Sequence, residues 1–284
     1  MKKCICCLIA VLLFAFSARG LVAGAWTQKH GEGYYKIGFR FVRADRFYES
    51  TGNQIDIPTF GDYTVNFYGE YGLNDRLTLI VSVPFFKRIT LNKQVSRGTG
   101  FVFFDGDSKS GFADFDIGLR MGLLRKGGAV LSTEALLGVP VGDNTQKNGL
   151  YTGDGEFDQS LKLQFGYSFF PVPAYFTSEV GMRNRNEGYS DEFRYAAEIG
   201  YTLGGKFIVV FKVRGVESLN NGADNVTGGM GGLFANNQSY LAYGPEISFL
   251  LSHVVGFTAA IEGAARGENV LSAPAYSIGV FLRR

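Results

Sequence analysis

Cysteine is almost missing from this chain, and its placement decides the redox question. The three cysteines among 284 residues are Cys4, Cys6 and Cys7, so no disulfide can form beyond the first seven positions. Charge is also scarce: charged residues make up 19% of the chain and the formal balance is only +2. No strongly basic block occurs, which excludes the concentrated positive surface of a nucleic-acid binder. After the first 25 residues no apolar run approaches the roughly 18 needed for a spanning helix. Even the charge-free stretch from Asn225 to Pro245 is rich in Gly and Asn. Histidine is limited to His30 and His253. Glycine and aromatic residues, by contrast, are plentiful. The 39 glycines are about 14% of the chain, twice the usual share of about 7%, and Phe, Tyr and Trp add 15%. So many aromatics at so little net charge argue against disorder.

The first 25 residues read as an export signal. Met1-Lys2-Lys3 is a basic start, Cys4–Phe16 is nearly continuous apolar chain, and Ala23-Gly24-Ala25 fits the small-x-small pattern of a signal-peptidase site. Cleavage is expected after Ala25, leaving Trp26 first and a single domain over 26–284; an uncleaved amino-terminal anchor is the alternative. Cleavage removes Lys2, Lys3 and Arg19, leaving 25 bases against 26 acids, a balance of −1. An exported domain of this size without disulfides must draw its stability from a large core or from lipid.

Beyond the signal the hydrophobic period is two. Tyr35, Ile37, Phe39 and Phe41 alternate with Lys36, Gly38 and Arg40; Phe115, Ile117, Leu119, Met121 and Leu123 alternate with Asp114, Asp116, Gly118, Arg120 and Gly122. Carried along the chain, this alternation predicts about twelve strands, near 33–43, 63–72, 76–89, 112–125, 129–139, 157–170, 174–185, 191–203, 206–216, 238–251, 254–264 and 274–282. Several are longer than a soluble strand of about 5–6 residues and match the 9–11 of a tilted membrane-spanning strand. Alternate connections are tight, as at Leu73-Asn74-Asp75, Lys126-Gly127-Gly128 and Gly204-Gly205. The others are mostly longer: 44–62, 90–111, 140–156, 186–190, 217–237 and 265–273. Short turns on one rim and long loops on the other predict an all-β fold, a transmembrane antiparallel up-and-down β-barrel of about 12 strands with both termini periplasmic. A sheet can cross hydrocarbon only when it closes on itself, because unpaired backbone amides there cost several kcal/mol. Apolar side chains then face lipid and polar ones face the axis. Tyr34, Tyr63, Tyr71, Phe85, Phe86, Phe169, Phe170, Tyr175, Phe193, Tyr201 and Phe207 are expected in the interfacial aromatic girdles.

Short motifs add a family resemblance. Ala25-Trp26-Thr27-Gln28 with Gly31 and Gly33-Tyr34, then Gly111-Phe112-Ala113-Asp114-Phe115-Asp116-Ile117-Gly118-Leu119-Arg120, Gly153-Asp154-Gly155-Glu156-Phe157-Asp158 and Gly215-Val216-Glu217-Ser218 resemble motifs of a family of outer-membrane transporters. That family is associated with the phenol meta-cleavage degradation pathway. The resemblance implies transport of hydrophobic or aromatic compounds. The carboxyl end, Phe281-Leu282-Arg283-Arg284, departs from the terminal Phe or Tyr read by the barrel-assembly machinery, an implied partner.

Strand parity sends nine acids and nine bases inward. The acids are Glu70, Asp114, Asp116, Glu134, Asp158, Glu179, Glu198, Glu246 and Glu262. The bases are Lys36, Arg40, Arg120, Lys162, Arg183, Arg185, Arg194, Lys212 and Arg214. Equal numbers predict a lumen braced by ion pairs along a narrow or gated permeation path, since a selective pore carries one sign. A pure structural plug is the competing expectation.

Enzyme chemistry finds no support. Ser252-His253 is not a dyad, because neighbours on a strand face opposite ways, and two distant histidines without cysteine make no zinc site. The acids Asp143, Asp154, Glu156 and Asp158 lack calcium-loop spacing, and Gly228-Gly229-Met230-Gly231-Gly232 has no following Lys for a phosphate loop. No cofactor or metal is expected. Lys87, Arg88, Lys93, Arg97 and Lys109 are candidates for lipopolysaccharide phosphates, with outer-membrane lipid around the barrel. About eight residues precede the first strand, too few for the long hatch of a fatty-acid-type transporter. The sequence thus predicts a barrel of the Gram-negative outer membrane, passing a small molecule passively or by facilitated diffusion. The alternative is a non-conducting structural or accessory barrel for surface-polymer export or envelope integrity.

Overall fold

The computed structural model describes residues 24–284 apart from 147, 227 and 230–232. Most of the expected signal peptide, 1–23, lies outside the described residues. In an extended chain successive side chains point to opposite faces, and the alternating segments form twelve long strands. They are β1 (Gly33–Tyr48), β2 (Gln54–Asn74), β3 (Leu77–Leu91), β4 (Phe115–Lys126), β5 (Ala129–Val139) and β6 (Asp158–Ser168). The second half supplies β7 (Ala174–Asn184), β8 (Glu192–Leu203), β9 (Phe207–Ser218), β10 (Ser239–Leu250), β11 (Val255–Glu268) and β12 (Ala275–Arg283). Each pairs antiparallel with its neighbour in sequence, and β1 also pairs with β12 from Tyr34↔Arg283 to Val42↔Ala275. The sheet therefore closes as an up-and-down barrel with no free edge, the condition that hydrocarbon imposes.

Its faces are inverted relative to a soluble protein. On β4, Ile117, Leu119 and Met121 are 37%, 42% and 47% exposed, while Arg120 between them is 3% exposed. Thr78 and Ser132 are fully buried on the inner wall, and Ile37, Leu161 and Ile278 stand on the outer one. No helix among the described residues is long and apolar enough to cross a membrane; the strands are the crossing elements.

Most strands end within about three residues of their expected limits, but β1, β2 and β11 run on. The connection expected over 44–62 is mostly a continued hairpin, paired as far as Tyr48↔Gln54 around a turn at 49–53. Apolar alternation stops there because a strand above the bilayer needs no lipid-facing side, yet backbone pairing continues. The connection expected over 90–111 likewise contains a small hairpin, Gln94–Val95 with Val102–Phe104, and a segment, Asp107–Gly111, paired to β3. The loop asymmetry is nonetheless real. Turns at 75–76, 127–128, 169–173, 204–206 and 251–254 share one rim with the start of β1 and the end of β12, where Gly33 and Arg284 exchange backbone hydrogen bonds of 2.8 and 2.9 Å. Gly204 and Gly205 take φ of +54° and +68°, which only glycine adopts cheaply in a tight hairpin.

The girdle needs one correction. Phe170, Tyr71, Phe85, Phe86, Tyr201 and Phe207 are exposed on the outside, but Tyr34 and Tyr175 point inward. Tyr34 stacks on Phe281 and meets Tyr68 edge-on, and Tyr175 meets Trp26 edge-on. The alternation of their own strands, with Lys36 and with Glu179, already placed them on the inner face.

Candidate functional site: a strapped, ion-paired lumen

The described residues ahead of β1, from Gly24 onward, do not stay outside. They turn into the barrel from the short-turn rim and form a strap along its inner wall. Ala25 and Trp26 are 2% and 9% exposed and pack with Val130 and Tyr175. The indole meets Tyr175 at 6.2 Å between centroids, and a Cβ on Gly166 would lie 2.7 Å from it. Glycine at 166 is what lets the ring approach the wall. Gln28 donates its backbone N–H to Thr78 Oγ1 at 2.8 Å and its side-chain amide to Glu70 at 2.7 Å.

Beside the strap lies a buried charge node. The Arg120 guanidinium bonds Glu70 at 3.0 Å and Glu134 at 2.8 and 3.0 Å, and donates to the Trp26 carbonyl at 3.1 Å. Tyr68 adds its hydroxyl to Glu70 at 2.6 Å. Lys162 sits 3.5 Å from Glu134 and 3.4 Å from Glu179, and Gln164 donates to both acids. Buried charge is tolerated only when paired and hydrogen-bonded, and Glu70 and Glu134 meet that condition. Across the lumen Lys212 bridges Glu246 at 2.9 Å and Glu198 at 3.7 Å, and Arg214 pairs with Glu262. Lys36 and Asp116 point into the lumen but form no ion pair within 4 Å among the described residues.

The long-loop mouth is organised differently. Asp114 accepts backbone N–H groups of Val141, Gly142 and Asp154 at 3.0, 2.8 and 2.8 Å, pinning the 140–157 loop rather than pairing across the lumen. Burial pushes its carboxyl up to about 6, against the lowering effect of the Gly142 N–H. Arg185 faces three carboxylates, Asp154, Glu156 and Glu192. Burial lifts Glu156 to about 7 although Arg185 opposes it. Arg183 pairs with Asp158 and Glu192, and Arg194 with Glu192. Asp62 joins Arg40 and Lys87, each at 3.6 Å. Phe60, Ile89, Leu91 and Leu150 form a dry cluster joined by Leu233 from the 219–238 loop, and Lys87 lies 5.0 Å from the Phe234 ring centroid.

The sixteen inward charges Lys36, Arg40, Glu70, Asp114, Asp116, Arg120, Glu134, Lys162, Glu179, Arg183, Arg194, Glu198, Lys212, Arg214, Glu246 and Glu262 thus divide. Thirteen join ion pairs, Asp114 caps a loop, and Lys36 and Asp116 stand apart. Parity missed Asp62, Glu156, Glu192 and Lys87, all buried at the mouth. With these, Asp154, which faces Arg185, and Arg283, which lies over the Phe281 ring, added to nine of each sign, thirteen acids face eleven bases among the described residues, so the expected balance gives way to a small acidic excess. Asp62, Glu156 and Lys87 were missed because they sit where apolar alternation fades; Glu192 shares the parity of Arg194 and was legible. The reading of five loop cations as phosphate ligands also weakens. Lys87 is turned inward, Lys93 pairs with Asp105, Lys109 with Asp143, and Arg88 donates to Ser108.

Four cavities follow one another through the barrel. One of about 350 Å³ near the short-turn rim is lined by Tyr34, Lys36 and Glu246 and shares Tyr68, Glu198 and Lys212 with a second of about 350 Å³. The second shares Arg214 and Glu262 with a third of about 170 Å³, and Asp116 with a fourth of about 260 Å³ at the mouth.

No family model and no curated protein matches this chain. Solved structures do. The chain is similar to the COG4313 outer membrane channel from Pseudomonas putida F1, with a TM-score of 0.68, 11% identity, and coverage of 94% of this chain and 100% of that one. It also resembles the NanC porin (TM-score 0.52, 8% identity, 87% and 98% covered). A third likeness is to the translocator domain of autotransporter NalP from Neisseria meningitidis (TM-score 0.52, 11% identity, 100% and 98% covered). At these identities the likeness is one of fold: the chain has the architecture of a Gram-negative outer-membrane β-barrel, with the apolar exterior that location requires.

Proposed function

We propose that this barrel is a passive or facilitated channel for a small, hydrophobic or aromatic molecule. The observation that carries the reading is the succession of cavities, which share lining residues from the short-turn rim to the long-loop mouth. A structural plug has no use for cavities at successive depths. Twelve strands lie between the filled interior of eight and the open channel of sixteen. Tyr34, Tyr68, Tyr175 and Tyr240 on this path offer faces on which an aromatic ring can stack. The short-turn rim, with both termini, faces the periplasm in this reading, and the phenol meta-cleavage association of the resembling family fits an aromatic solute. Purified protein in planar bilayers is expected to give small single-channel steps, and proteoliposomes to admit phenol or benzyl alcohol faster than a neutral sugar. Absence of both conductance and uptake would overturn the proposal and favour the accessory barrel, for which the dense ion pairing around the strap is the supporting observation.

A further inference from the structure

Counted by its ion pairs, the Arg120 node holds one more acid than base, and Lys36, which borders the same cavity as Tyr68 and Glu70, forms no ion pair with it. The node's bases are Arg120 and Lys162 and its acids Glu70, Glu134 and Glu179, two positive groups against three negative ones. Glu70 and Glu134 are buried, each with a side chain 4% exposed, so their charge needs partners inside the protein, while Glu179, 27% exposed, borders the second cavity. The strap passes directly beside this node, and its contacts from Trp26 onward hold without anything that precedes them. The indole is wedged between Gly166 and Tyr175, the Trp26 carbonyl receives Arg120, and Gln28 is fixed on Glu70 and Thr78. The nitrogen and carbonyl oxygen of one residue are separated by only about 3 Å. Whatever stands at the Trp26 nitrogen is therefore within the field of the node.

We propose that export cleavage after Ala25 creates the missing counter-ion: the α-ammonium of Trp26 remains inside the barrel and neutralises the Arg120 node. The inference rests on the cleavage expected from Ala23-Gly24-Ala25 and is independent of what the channel carries. Cleavage hydrolyses the Ala25–Trp26 amide, turning one N–H donor into an ammonium with three. The space given up by Gly24 and Ala25 adjoins Gln164, Thr177 and Glu179, which supply acceptors. An ordinary α-amine titrates near about 8, so at neutral pH the group is mostly charged, and neighbouring carboxylates favour that form. Processing and lumen electrostatics are thereby coupled: the node is complete only in the mature chain.

The test uses protein extracted from outer membranes. Its intact mass should be that of Trp26–Arg284 with an unmodified amine. A second chain carries Ala-Ser inserted between Ala25 and Trp26, which moves the amine two residues away, and both chains are made with and without Glu179→Gln. Moving the amine should lower the temperature of the gel-mobility transition by about 3 °C and shift single-channel selectivity toward cations. In the E179Q background, where the node has lost its excess acid, the transition should barely move. If the inserted chain does not assemble, acylation of the α-amine at pH 7 decides. It should be about tenfold slower in the folded protein than in urea, and faster again in E179Q. A mature chain beginning elsewhere, an equal drop in both backgrounds, unmoved selectivity, or equal acylation rates folded and unfolded would each overturn the proposal.

Discussion

In the half of the lumen nearest the short turns, the buried Glu70 and Glu134 are surrounded by donors: Gln28, Tyr68 and Arg120 serve Glu70, and Arg120, Lys162 and Gln164 serve Glu134. At the long-loop mouth Glu192 draws Arg183, Arg185 and Arg194, whereas Glu156 shares Arg185 with Asp154 and Glu192 and otherwise receives the Asn186 N–H. The residue types are the same and the consequence differs. Glu156, which must share a cation under burial, relieves the strain by taking up a proton, as its position near 7 indicates, and burial moves the Asp114 carboxyl up to about 6. The barrel therefore carries a proton-sensitive cap over an ion-paired frame.

The largest expected effect tests the frame. Arg120→Met strands Glu70 and Glu134, and breaking a buried pair this way costs about 3–5 kcal/mol; loss of the compact, heat-modifiable gel form would report it. Trp26→Ala should cost about 2 kcal/mol, below the full core value because the ring meets few apolar neighbours, Val130 and Tyr175 among them, and should raise single-channel conductance as the strap loosens. Arg185→Met should cost about 1–2 kcal/mol at pH 8, where Glu192 still keeps Arg183 and Arg194, and less at pH 5, because the orphaned Glu156 can protonate. An equal loss at both pH values would erase the contrast between the halves.

The cap itself gives a smaller, signed effect. Asp114 and Glu156 bind protons more tightly in the folded barrel than in the unfolded chain, so their contribution favours folding below about pH 4. It is lost as pH rises to about 6 for Asp114 and about 7 for Glu156. Amide exchange of Val141, Gly142 and Asp154 should quicken across that window, and Asp114→Asn should flatten the part due to Asp114. The smallest expectation is a control: Lys93→Ala breaks an open pair with Asp105, 88% exposed, and should change stability by less than about 0.5 kcal/mol.

Much of this was legible along the chain. On β4 the run Phe115 to Leu123 announced an apolar outer wall with Asp116 and Arg120 inside, because a strand in lipid has no other way to sort its faces. The same alternation disclosed Glu134, Lys162, Glu179 and Lys212. It failed at Asp62 and Lys87, where β2 and β3 leave the bilayer and side chains no longer need to alternate. It said nothing of Glu156, which reaches Arg185 from a loop. The strap was illegible for another reason: Trp26, Thr27 and Gln28 look like a spacer until Gly166, Thr78 and Glu70 arrive from distant strands to hold them.

Taken by itself, the order of residues determined that the chain crosses a membrane as strands, which face of each strand meets lipid, and where the tight turns fall. These follow from local periodicity and turn chemistry, which need no partner to be read. Barrel closure brought together what no local rule could. It decided which carboxylate meets which base, that acids outnumber bases along the axis, and that the first described residues lie inside. Pairing depends on distances between side chains some 50 to 94 positions apart, as for Arg120 with Glu70 and with Trp26, and only the closed sheet sets those.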